Sequence, residues 1–402
     1  MPDTCLEDFD YLAQTLREIH PAYAEDARPL EEAAAVLKRQ WLGREDIRIT
    51  LGRLAALPGD GHTNLEIPCR PDTPCLPAPV RWFGGKLHIF RDCGPLRQGD
   101  RLTAVCGLPL SAYLERLKSW LSHENAPLLL GRTTCYPQEN HFLFSLLNLQ
   151  AVFGSLAAYE LEGERQGERF TVRLSPEPFA ALSDAFDNPG FTGGSYIHTR
   201  IASDSALFCL DANRDGPEYQ QALDDFFRAV TQRGIRRITL DLSRNLGGSD
   251  GVIGAFIRYL AVDAYRTYGM ERRRPSGGME TIRFRGEPER LSHPEGLPLY
   301  DGALFCAVSP LTFSSARTFA VTLRDNQLAK IIGGPTGGRP SSFGLPRRFV
   351  TPRLQIPFRV STSRFLRPDA GKDGEDTLLP DDLLPEFWED FRADDRFHAY
   401  RM

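Results

Sequence analysis

From Tyr196 onward, short apolar runs alternate with amphipathic stretches: ALFCLDA, EYQQALDDFFRAVTQRG, RRITLDLS, the glycine turn NLGGSDG and VIGAFIRYLA, then ALFCAVS, RTFAVTLRD and AKIIGG. An insertion rich in Pro, Arg and Gly, at about residues 266–300, interrupts the series. Apolar runs of strand length separated by segments of helical period predict strands and helices in alternation, and strands joined through helices pair in parallel. In such a sheet, functional groups gather at the carboxyl ends of the strands.

The first 58 or so residues read instead as helices, with apolar residues at helical spacing in FDYLAQTLREI, RPLEEAAAVLKRQWL and IRITLGRLAAL. Gly and Pro then break the pattern in PGDGHTNLEIPCRPDTPCLPAP, leaving NLEI as a short strand. VRWFGGKLHIF and DRLTAV predict strands, and LSAYLERLKSWLS an amphipathic helix. HFLFSLLNLQAVFG reads as a buried helix, ERFTVRLSPEP as a strand, and PEPFAALSDAFDNPGFTGGS as a loop-rich connection. The expected division is a helical region over residues 1–75, a mixed α+β domain over 76–190 and an α/β core over 191–402.

A chain of 402 residues with 41% hydrophobic and 25% charged residues has an ordinary globular composition. A net charge of -5 gives no general attraction to nucleic acid or to an anionic membrane. No apolar run approaches the roughly 20 residues of a membrane span. The acidic, amphipathic start MPDTCLEDFDYLAQTL is unlike a secretion signal, so the expected location is cytoplasmic unless a leader has been removed. The eight cysteines (Cys5, Cys69, Cys75, Cys93, Cys106, Cys135, Cys209, Cys306) form no CxxC pair and read as buried free thiols.

Two strand ends carry chemistry. NLGGSDG places Gly247 and Gly248 before a helix, where paired glycines serve either a tight turn or the close approach of a ligand to backbone N–H groups. A phosphate loop is the competing reading, but neither GxxxxGK[ST] nor GxGxxG is present. LTFSSARTF places Ser314 and Ser315 at the next strand-to-helix junction. A serine there serves as a helix N-cap, or as a nucleophile exposed beside helix N–H groups. A nucleophilic serine needs a base. Among the eight histidines His62 stands out, because GDGHTNL puts it in a glycine-rich turn ahead of a strand.

Taken together, DLSRNLGG at residues 241–248, the stretch SPLTFSSARTFAVTLRDNQLAKIIGGPTGGRPSSFG and the GDGHT turn resemble the C-terminal-processing, or tail-specific, serine peptidase family. Ser243 stands where that family's DLRxNxGG motif has arginine. The resemblance implies an α/β, Clp/crotonase-like core, with Ser314 as nucleophile and an oxyanion hole from Gly247 or Gly248 and the Ser315 N–H. Arg339 occupies the position of the lysine base, and a guanidinium that never deprotonates cannot act as a base. The chain is therefore similar to the histidine-dependent, tricorn-type branch, with His62 as base. The third relay member would be Glu375, five residues before Pro380-Asp381, with Asp373, Asp376 and Asp325 as alternatives. Gly61 replaces the serine that precedes the histidine in tricorn. LRQGDRLTAVCGLPLSAYLERL looks like a partial, degenerate PDZ element, and equally like a β-hairpin and helix of unrelated origin.

The expected function is a serine endopeptidase acting through an acyl-enzyme on a peptide or protein substrate. It would need no metal or organic cofactor and have no nucleic-acid partner, and a homo-oligomer is compatible with the sequence. Two other readings stay open: a non-catalytic ligand-binding or peptide-binding member of the same fold, and a crotonase-like acyl-CoA enzyme.

Overall fold

A computed structural model describes residues 3–41, 45–83, 85–135, 141–180, 182, 195–296 and 299–384. The chain packs into two compact units. The first comprises Met1–Asp187, Glu271–Glu280 and Phe343–Arg364, and the second Asn188–Met270, Thr281–Ser342 and Phe365–Met402.

The first unit opens with the three expected helices, Asp3–Ile19, Arg28–Gln40 and Ile47–Ala56. Asp46 caps the third by accepting from the Arg48 N–H, the role its carboxylate predicts at a helix start. The two-residue strand Asn64–Leu65 follows the His62 turn and pairs with the long strand Pro357–Leu366, Asn64 opposite Arg359 and Leu65 opposite Phe358. A separate antiparallel sheet carries Val80–Phe83, Lys86–Ile89, Arg101–Val105, Tyr159–Arg165 and Glu168–Leu174 in that order. Its helix Leu110–Leu117 lies where the PDZ-like reading expects one. The loop-rich connection after Ala180 falls mainly outside the described residues.

In the second unit the predicted alternation becomes a six-stranded sheet: Ile197–Ile201, Ala206–Leu210, Arg237–Asp241, Ala303–Val308, Lys330–Gly333 and Asp382–Leu383, in that order. The first pair is antiparallel and the rest are parallel. Every residue of Ala206–Leu210 is buried, as an interior strand of a mostly parallel sheet requires. Phe208, Phe226, Phe227, Phe256 and Tyr259 form the aromatic centre of this core. Each side chain of that size contributes about 1.5–3 kcal/mol by leaving water. The insertion is not a loose loop, since its strand Pro288–Arg290 pairs antiparallel with Ala264–Arg266 at its start. Among the described cysteines, Cys75, Cys209 and Cys306 are buried as expected, while Cys5, Cys69, Cys93 and Cys106 are half-buried: their segments meet the solvent boundary and not the core.

Candidate active site

In the second unit, register sets the arrangement. Arg237–Asp241 and Ala303–Val308 are parallel neighbours, with Leu240 opposite Cys306 and Asp241 opposite Ala307. The glycine turn and the serine turn therefore leave the same end of adjacent strands. They are bound together by Phe313, whose N–H donates to the Asn245 carbonyl at 3.1 Å. A Cβ built on Gly247 would lie 2.7 Å from the Ser314 Cβ and 3.0 Å from the Ser315 nitrogen, so only glycine allows this approach.

Ser314 precedes the helix Ser315–Asp325 with φ 54° and ψ -131°. A non-glycine residue there carries on the order of 1–3 kcal/mol of backbone strain. Its hydroxyl makes no cap hydrogen bond, so the capping role open to a serine at this junction is not the one it fills. Strain at a serine on a sharp strand-to-helix turn is the geometry that exposes a nucleophile.

Two buried asparagines frame the turn. Asn245 Nδ2 donates to the Leu210 carbonyl and to Asn213 Oδ1, both at 2.8 Å, and Asn245 Oδ1 accepts the Gly247 N–H at 2.8 Å. Asn213 Nδ2 donates to Ser315 Oγ at 3.0 Å, while its carbonyl accepts the Ser249 N–H at 2.8 Å. Among the described residues the Gly247 N–H is thus engaged, whereas those of Gly248 and Ser315 are not taken by protein acceptors. Ser315 is the first residue of its helix, and its N–H is one of the orphan donors of any helix start. Of the two glycines, Gly248 is the available donor.

Glu375 lies in the same unit, where its Oε2 accepts from Arg367 Nη1 at 2.6 Å. Arg367, fully buried, also forms a paired contact with Asp325, through Nη2 at 2.7 Å and Nε at 3.1 Å. Burial works against the Arg367 charge, but its bonds to Asp325 and Glu375 more than offset this and hold its pKa above the ordinary value. The alternative acids are engaged as well: Arg285 binds Asp373, and Arg339 binds Asp376 at 2.9 Å. The acidic loop is pinned by arginines. Replacing Arg367 by alanine would leave Asp325 buried without its guanidinium, and a destabilisation of about 3–5 kcal/mol is expected in denaturant unfolding.

In the first unit, His62 sits in the turn after the helix Ile47–Ala56 with 13% of its side chain exposed. Asp60, fully buried, organises the turn. Its Oδ1 accepts the His62 N–H at 2.9 Å, and its Oδ2 accepts from Thr63 and Ser361 hydroxyls at 2.6 Å each and from His20 Nε2 at 3.2 Å. His20 Nδ1 accepts the Ala22 N–H, which places the His20 proton on Nε2. Burial pushes the Asp60 carboxyl upward, but bonds from His20 and His62 prevail and hold it well below the usual carboxylate range. Gly61 is fixed at both ends, its N–H on Glu124 Oε1 at 3.3 Å and its carbonyl on Arg132 Nη2 at 2.5 Å. Asp60, His62 and Glu124 bring one ligand-type atom each within 4.8 Å, a spacing open to a divalent ion. Both Asp60 oxygens and Glu124 Oε1 already accept protein donors, so the set fits an imidazole clamped by carboxylates.

Sequence reasoning did not single out Asn213, Asn245, Asp60 or Glu124. Asn245 and Asp60 stood inside the quoted motifs, whereas Asn213 in LDANRDG and Glu124 in SHENAP had no local signal.

Residues 206–382 match the model of Peptidase family S41. The chain is also similar in fold to solved structures of CPAF. Against mature CPAF the TM-score is 0.67 at 15% identity, covering 99% of this chain and 94% of that one. Against a CPAF serine mutant it is 0.69 at 14% identity, covering 95% and 92%. Against mature CPAF complexed with lactacystin it is 0.65 at 14% identity, covering 90% of each chain. No curated protein matches in sequence. Among the described residues no helix is long and apolar enough to cross a membrane. The glycine and serine turns both fall inside the matched segment, so residues 206–382 of this chain are similar to peptidase family S41, a family of serine-type peptidases.

Proposed function

We propose that the chain is an endopeptidase that cleaves peptide bonds through an acyl-enzyme, with Ser314 as nucleophile and His62 as general base. The observation that carries this reading is the Ser314 backbone, strained at φ 54° with its hydroxyl not used as a cap and Gly247 packed against its Cβ. Ser314 Oγ attacks the carbonyl carbon as His62 takes its proton, and the N–H groups of Gly248 and Ser315 receive the oxyanion, with Gly247 shaping the turn. The imidazolium then protonates the leaving amine, and a water deprotonated by the same ring releases the acyl group. Binding an oxyanion with two oriented N–H donors is commonly worth about 3–4 kcal/mol per donor in the transition state.

Two sources of an acid for His62 are in view. Glu375 is the one implied by the family resemblance, and its carboxylate is bound by Arg367. Asp60 and Glu124 are the carboxylates beside the imidazole itself.

The test is covalent labelling with a fluorophosphonate, followed by peptide mapping. The expected adduct is on Ser314. Folded protein that takes no label overturns the hydrolase reading in favour of a ligand binder, and binding of an acyl-CoA ester without labelling revives the crotonase-like alternative.

A further inference from the structure

We propose that Glu124 is the positioning residue for His62, acting with Asp60, so that the imidazole is oriented and charge-stabilised by carboxylates of its own unit. The inference rests on His62 being the base and adds the partner that sets its tautomer.

Glu124 lies just before the helix Ala126–Cys135 and keeps only 2% of its side chain exposed. Its Oε1 stands 3.8 Å from His62 Nδ1, and Asp60 Oδ1 stands 3.7 Å from the same nitrogen. These are ion-pair distances, longer than hydrogen bonds. Catalytic contacts of this kind commonly shorten when substrate binds. Two carboxylates at Nδ1 favour a proton there, which leaves the Nε2 lone pair as the basic site.

Charge balance points the same way. Asp60 and Glu124 carry two negative charges, Arg132 supplies one positive charge through its contact with Gly61, and His20 donates to Asp60 through Nε2. A buried excess of one negative charge is costly unless a cation answers it, and the imidazolium formed when His62 takes the Ser314 proton would do so. The two acids divide the work. Asp60 holds the turn itself through the Thr63, Ser361 and His20 contacts, whereas Glu124 touches the turn at the Gly61 N–H. Glutamine at position 124 keeps that acceptor and removes only the charge.

The experiment measures the rate of fluorophosphonate labelling against pH in wild type, Glu124→Gln, Glu124→Asp and Glu375→Gln. A carboxylate beside the ring holds a proton on it, so its removal lets the ring deprotonate at lower pH. The acid limb of the Glu124→Gln profile is expected to move down by about one pH unit. Its plateau rate is expected to fall about a hundredfold, and Glu124→Asp to recover part of both changes. A folded Glu124→Gln protein whose acid limb stays in place overturns the proposal, as does a limb that moves in Glu375→Gln and not in Glu124→Gln. Ring titration of His62 by NMR in Ser314→Ala, with and without Glu124→Gln, reads the same shift without any reaction, and equal midpoints reject it. The underlying reading fails separately: a His62→Ala protein that labels at the wild-type rate removes the base and leaves Glu124 nothing to position.

Discussion

Ser314→Ala is expected to lower kcat/KM for a quenched-fluorescent casein substrate by a factor of about 10⁵ while leaving the protein folded. Removing the proposed nucleophile abolishes the covalent route, and what remains is the background catalysis of donors and binding. The substitution exchanges a hydroxyl for hydrogen at a residue that makes no cap bond, so the helix Ser315–Asp325 loses no N-cap. Stability separates this from a merely structural serine. Alanine keeps the strain of a φ of 54°, whereas glycine adopts that backbone freely. Ser314→Gly is accordingly expected to be inactive like Ser314→Ala and to unfold at a free energy about 1 kcal/mol higher than it. Equal stability of the two variants would show that the backbone relaxes when the hydroxyl is lost. Activity retained in either would remove Ser314 as the nucleophile.

The parts that were legible share one property: a local pattern suffices to specify them. Apolar periodicity placed the first three helices and the alternating elements from Ala206 to Gly333, because burial of one face dictates which positions are apolar. The serine and glycine turns were legible because glycine and serine at strand ends are sparse and chemically pointed. Their proximity followed from neighbouring parallel strands, with Asp241 opposite Ala307. Long-range partners were not legible. The strands Ser342–Val350 and Pro357–Leu366 return mostly to the first unit, where Ser361 holds Asp60 across 301 residues of sequence. Glu124 lies 63 residues from Gly61, and nothing within SHENAP distinguishes it from a solvated acid. The arginine partners of the acid loop around Glu375, Arg285, Arg339 and Arg367, come from three separate stretches and were not legible either.

Gly247→Ala is expected to suppress fluorophosphonate labelling about a thousandfold, far beyond the usual effect of one methyl group. Two costs coincide at this position. The φ of 103° is a conformation that L side chains rarely adopt. The added Cβ would also lie 2.7 Å from the Ser314 Cβ and 3.0 Å from both the Phe313 carbonyl oxygen and the Ser315 nitrogen. None of these neighbours is the free end of a flexible side chain, so relief must come from separating the two turns. That motion displaces Ser314 and the Ser315 N–H together, and misplacement of a nucleophile by about 1 Å is enough to cost roughly 10²-fold before any loss of oxyanion binding is added. Gly248→Ala makes the contrast. Its Cβ would meet the Asn213 carbonyl oxygen at 2.1 Å, in the bridge that ties Asn213 to the turn, so its primary effect falls on folding. The expected pattern is Gly247→Ala folded and nearly unreactive, with Gly248→Ala the less stable of the two by several kcal/mol in denaturant unfolding. Wild-type labelling by Gly247→Ala would mean that the glycine turn does not bear on the nucleophile, and the packing of Gly247 against Ser314 would then be structural alone.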